Sequence, residues 1–130
     1  MVIVREFTDT DAHQASVIYF ESFKSYLKER MEISAPQPAG YWLDNMRHTV
    51  NSDYENISFV AEIDNKLVGC ITVSAALKRR LGTLVRIGVL PECAGKGVGK
   101  KLFASAVKRA DVMCVRVPPL FFVMFPIWAE

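Results

Sequence analysis

Three glycines at alternate positions, Gly95, Gly97 and Gly99, stand with Lys96, Lys100 and Lys101 in the part of this chain best equipped for chemistry. Glycine lacks the Cβ that keeps a ligand off the backbone, so a glycine turn lets main-chain N–H groups close on a guest. The flanking residues say what presents that turn. Leu84, Val85, Ile87, Val89 and Leu90 make an apolar, partly β-branched strand that Pro91 stops. From Lys100 the period changes, and Leu102, Phe103, Ala106, Val107 and Ala110 share one face of a helix. A helix start has unpaired N–H groups and a positive dipole end. With three lysines beside it, the site suits a phosphate or pyrophosphate better than a carboxylate. The plainer reading is a strand-turn-helix connection with solvated lysines, since glycine turns occur in many folds.

Two familiar phosphate loops are excluded by spacing. A Walker A loop needs Gly, four residues, then Gly-Lys-Ser/Thr. Counting back from Gly99-Lys100 puts Ala94 at the first glycine, and Lys101 stands where the hydroxyl belongs. The dinucleotide fingerprint fails because Gly99 comes one residue early after Gly95 and Gly97. What remains resembles motif A of the GNAT superfamily of acyl-CoA-dependent N-acetyltransferases, Arg/Gln-x-x-Gly-x-Gly/Ala after a strand ending in Val-x-Pro-Glu. Val89-Leu90-Pro91-Glu92, Gly97-Val98-Gly99 and Lys100-Lys101-Leu102 carry the resemblance. Ala94 departs from it at the Arg/Gln position, a change that weakens a main-chain cradle more than it abolishes it.

The resemblance implies an α/β (α+β) fold, a central mixed, mostly antiparallel sheet flanked by helices. It implies acetyl transfer from acetyl-CoA to a primary amine of a small molecule or protein. Ile87, Gly88 and Val89 would then align the pantetheine, with the Ile87 and Val89 amides polarising the thioester carbonyl. Ala94, Gly95, Lys96, Gly97, Val98, Gly99 and Lys100 would hold the pyrophosphate.

Composition bounds the rest. A chain of 130 residues has room for a single domain, residues 1–130. Hydrophobic residues at 51% and charged residues at 23% are ordinary for a globular protein. A net charge of +2 is too small to argue for nucleic acid and fits a local anion site. Cys70, Cys93 and Cys114 have neither a CxxC nor a metal-ligand spacing and read as reduced thiols of a cytoplasmic protein. The N-terminus lacks the basic and apolar regions of a signal peptide.

Along the chain, residues 2–7 alternate as a first strand. Asp11 offers an N-cap with Gln14 as its capping-box partner. Ala15, Ile18, Tyr19, Phe23, Tyr26 and Leu27 then step by three and four through one helix to about Glu29. The resemblance places the end of that helix over the acceptor channel, which makes Phe23 and Tyr26 the expected acceptor contacts. Residues 34–40 form a Pro-rich loop, and a second helix carries Trp42, Leu43, Met46 and Val50. His48 reads as a solvated side chain before it reads as a base. Residues 57–63 and 67–76 form a hairpin about Asp64-Asn65-Lys66. Lys78, Arg79 and Arg80 read as a solvated tip, and would also suit an acidic acceptor or the CoA 3′-phosphate.

Residues 111–117 suggest one more strand, and residues 111–130 form an atypical apolar segment. It is too short and too Pro-interrupted to span a membrane, and its apolar character fits self-association as a homodimer. The family's C-terminal half normally closes the sheet and supplies an Asn and a Tyr that contact CoA and protonate the leaving thiolate. This chain has no Asn after Asn65 and no Tyr after Tyr54, and so reads as a domain shortened or altered there. No metal is expected, and no catalytic residue is assignable: residues 84–90 hold no carboxylate, and Glu21, Glu62 and Glu92 read as surface residues. Two readings stay open, an N-acetyltransferase and a catalytically degenerate CoA-binding or interaction module.

Overall fold

The computed structural model describes residues 1–32, 34–47 and 53–118, without the side chains of residues 25–26 and 42–45. The expectations for His48, Val50 and residues 119–130 lie outside the described residues, as do those for the side chains of Tyr26, Trp42 and Leu43. Four strands, β1 (Val2–Glu6), β2 (Tyr54–Ile63), β3 (Lys66–Ala76) and β4 (Leu81–Val89), form one sheet in chain order with antiparallel neighbours. Among the described residues four helices accompany it: α1 (Ala12–Ser22), α2 (Lys24–Met31), α3 (Ala39–Met46) and α4 (Val98–Val112). This is the mostly antiparallel, helix-flanked sheet that the sequence implies. Its mixed character shows in a parallel bridge between Leu81 and Arg116.

Side-chain alternation along the strands gives the sheet two unlike faces. A Cβ on Gly69 would lie 2.8 Å from Val98 and 3.0 Å from Leu102, so α4 packs hard against that face. Ile71, Val73, Ile57 and Ile87, all fully buried, share it by alternation and register. The opposite face carries Ser58, Thr72 and Arg86 in one cross-strand row. Ser58 and Thr72 share a hydroxyl hydrogen bond of 3.0 Å. Above this row α1 lays Tyr19, whose ring receives the Arg86 guanidinium at 5.6 Å. Burial lifts the Tyr19 hydroxyl well above the ordinary tyrosine value, and the adjacent Cys70 adds to the rise.

Several sequence expectations are corrected. The expected single helix to Glu29 is two helices, because Phe23 (φ −117°, ψ 21°) leaves helical geometry between α1 and α2. The capping box belongs to Thr8 and Asp11, not to Asp11 and Gln14. Asp11 accepts the Thr8 N–H at 2.8 Å and a bidentate pair from Arg5 at 2.8 Å each, which commits its carboxylate upstream. The strand expected over residues 111–117 does not form. Helix α4 runs on through Val112, Cys114 turns left-handed at φ 58°, and only Arg116 bridges to β4.

Candidate functional site

The site is built from the outer edge of β4 and the turn that follows it. The Leu90 N–H reaches the Val68 carbonyl at 2.8 Å, so Leu90 faces β3. Backbone polar groups alternate edges along a strand, which turns the N–H groups of Ile87 and Val89 to the outer side. Ser22 confirms the direction: its Oγ–H donates to the Val89 carbonyl at 2.8 Å from the α1 side. A bulge precedes this segment, since Thr72 pairs with Arg86 but Val73 pairs with Leu84. Val85 is the extra residue, and such bulges re-aim the strand beyond them. No sequence signal marked it.

Beyond β4, Pro91–Cys93 make a single helical turn closed by the Ala94 N–H on the Pro91 carbonyl at 3.1 Å. Ala94 thus commits its amide inside the turn, and its place in the expected cradle is reduced to shape. Gly95 and Gly97 hold φ of +80° and +78°, the left-handed region that favours glycine, and a Cβ on either would meet nothing within 4 Å. The space before these amides is therefore open. Gly97 caps α4 two residues earlier than expected, and the Lys101 N–H makes the first intrahelical bond to its carbonyl at 3.1 Å. The N–H groups of Val98, Gly99 and Lys100 precede that first bond and carry the positive end of a 15-residue helix. Val98 and Gly99 are buried, whereas Lys96, Lys100 and Lys101 are exposed around the opening.

Gly88 has a different task. A Cβ there would lie 3.0 Å from Tyr19 and 3.1 Å from Ser22, so its bareness admits α1 to the strand. Phe23 is half-buried against the core at the α1–α2 break, beside this edge in sequence. A separate, small apolar hollow of about 70 Å³ is lined by Ser16, Phe20, Leu27, Met31, Gln37 and Tyr41. It opens where α1 and α2 meet α3 and the preceding loop, and Phe23 does not line it. The basic tip is also separated from the glycine turn. Lys78 pairs with Asp53 at 3.4 Å. The nine residues of β4, at about 3.3 Å each, place tip and turn at opposite ends of a strand roughly 25 Å long.

Glu62 is part of the Arg5 ion-pair group at 3.5 Å, Glu21 lies 3.9 Å from Lys24, and Glu92 is exposed. The Tyr19 hydroxyl lies against Cys70 and Thr72 on β3, turned from the outer edge of β4, and burial pushes the Cys70 thiol up to about 12. Among the described residues no group of three His, Cys, Asp or Glu side chains is placed to hold a metal ion, and no helix is long and apolar enough to cross a membrane.

The acetyltransferase (GNAT) family model matches residues 18–117. The chain belongs to this family. The match runs from the second half of α1 through α2 and the whole β4–turn–α4 unit. Among solved structures, the PaiA N-acetyltransferase of Thermoplasma acidophilum, solved with coenzyme A, superposes with a TM-score of 0.67 at 20% identity, covering 97% of this chain and 87% of that one. A GNAT family acetyltransferase from Brucella melitensis, solved with acetyl-CoA, gives 0.69 at 17% identity, covering 95% and 81%. The ribosomal-protein-S18-alanine N-acetyltransferase of Escherichia coli gives 0.61 at 18% identity, covering 86% of this chain. The chain spans 61% of that enzyme's length. At these identities the structural likeness speaks for the GNAT fold alone. No curated protein sequence matches the chain.

Proposed function

We propose that this GNAT domain binds acetyl-CoA along the outer edge of β4 and at the glycine turn, and transfers the acetyl group to an amine. One observation carries the reading: outward amides at Ile87 and Val89 run straight into an open, glycine-lined helix start. The edge supplies donors spaced for an extended chain with carbonyls, and the turn supplies donors for a pyrophosphate. Gly95, Lys96, Gly97, Val98, Gly99 and Lys100 would hold the phosphates. Gly88 keeps the strand free of side chains beneath α1. The bound thioester supplies an activated acyl group. The Ile87 and Val89 N–H groups stabilise negative charge on its carbonyl oxygen, a contribution that rises as an amine attacks. Phe23, at the helix break, and Tyr26, in the α2 that follows it, are the proposed acceptor contacts.

One observation favours binding without turnover as a second reading. Tyr19, packed on Gly88, buries its hydroxyl toward β3 and so does not offer a proton at the β4 edge. Calorimetry with acetyl-CoA and dephospho-CoA tests the cradle. Release of free CoA thiol against a panel of amines tests transfer. Micromolar binding with thiol release supports the transferase. Binding without release from any amine supports the second reading, and a folded chain that binds neither nucleotide sinks both.

A further inference from the structure

We propose that Ser22 is a positioning residue that leaves Val89 with only its N–H to offer the acyl group, an inference that rests on the acetyl-CoA reading above. Val89 turns both its N–H and its carbonyl to the outer edge of β4. A bare carbonyl there would set a lone pair beside the amide meant for the acyl oxygen, repelling that oxygen or recruiting water. Ser22 covers it with a 2.8 Å hydrogen bond. Ser22 is half-buried. Its place is fixed twice over. Gly88 leaves room for it, with Ser22 Oγ only 3.1 Å from where a Cβ would stand. The break at Phe23 ends α1 at Ser22, so the chain turns away immediately after the bond is made.

The test sets acetyl-CoA against CoA, which shares the pantetheine and phosphates but has no acyl carbonyl. Affinities are measured by calorimetry on the full chain, on Ser22→Ala, and on Ser22→Thr, which keeps a hydroxyl. Ser22→Cys, close in size and a weak donor, serves if the alanine variant does not fold. The expected result is CoA affinity within about twofold of wild type for Ser22→Ala and acetyl-CoA affinity about fivefold weaker. Ser22→Thr should restore the acetyl-CoA affinity toward the wild-type value. Unchanged acetyl-CoA affinity in Ser22→Ala overturns the proposal. Equal weakening of both ligands also overturns it, because Ser22 is then a general clamp between α1 and β4. A wild-type chain that binds neither ligand overturns the acetyl-CoA reading itself, and the role of Ser22 with it.

Discussion

Gly97 is where a single side chain matters most to the proposed cradle. Its φ of +78° would strain an L-residue, at a cost of roughly 1–2 kcal/mol, and a side chain would stand before the N–H groups of α4. Gly97→Leu is expected to melt a few degrees lower and to lose calorimetrically detectable CoA binding. A folded variant with wild-type affinity would place the pyrophosphate elsewhere. The spacing of Gly95 and Gly97 made this turn legible in the sequence. Gly88 and Gly69 were not legible in the same way, because their reason is the close approach of α1 and α4, which no local pattern records. Asp11 departs from its local sequence pattern for a similar cause: its partner Arg5 precedes it on β1. Burial opposes its charge, but the Arg5 and Thr8 hydrogen bonds outweigh that and hold its carboxyl below the usual carboxylate range. A depressed folded pKa contributes stability above the unfolded value, about 4, that is lost as pH falls through the folded one. Asp11→Asn should therefore cost about 1–3 kcal/mol at neutral pH and flatten the acid limb. Urea melts at pH 7 and pH 3 would show it, and parallel pH profiles for the two proteins would refute it.

At the scale of elements, what local chemistry decides was readable and what tertiary contact decides was not. Asp64 and Asn65 take φ of +52° and +63°, the paired left-handed turn that their residue types favour, and the β2–β3 hairpin follows. The apolar spacing through Phe23 and Leu27 continues smoothly across a helix that in fact breaks. The break accompanies the clamp of Ser22 on Val89, 67 residues away in sequence. The bulge at Val85 is likewise a matter of pairing with β3. At the end of α4 the β-branched run over residues 112–117 suggested a strand, yet the helix closes on itself. The N–H groups of Met113 and Val115 both reach the Ala110 carbonyl, at 3.0 and 2.9 Å. Cys114 takes the left-handed position in this closure that glycine usually fills. Cys114→Gly should relieve that backbone and stabilise the domain by about 0.5 kcal/mol. A lower midpoint in denaturant would mean that the cysteine side chain contributes more than its backbone costs.

Taken whole, the molecule divides its labour between the two faces of the sheet. The α4 face is apolar throughout its centre and close-packed, so it fixes where the helix begins and therefore where the glycine turn opens. The α1 face tolerates a polar row of Ser58, Thr72 and Arg86, and it brings Tyr19 and Ser22 onto β4. The proposed ligand site runs along the boundary where both arrangements meet, at the C-terminal end of β4. A ligand bound there holds β4, the turn and α4 together, and none of these contacts exists in the unfolded chain. Linkage then requires CoA to stabilise folding. At a hundred times the dissociation constant the gain is about 2.7 kcal/mol, a rise in melting temperature of roughly 10 °C for a domain of this size. The rise should grow with the logarithm of CoA concentration and vanish in Gly97→Leu. Ser22→Ala should keep it for CoA and show it reduced for acetyl-CoA. A wild-type melting temperature indifferent to millimolar CoA would separate fold from function in this chain, leaving the GNAT sheet intact and its proposed edge unused.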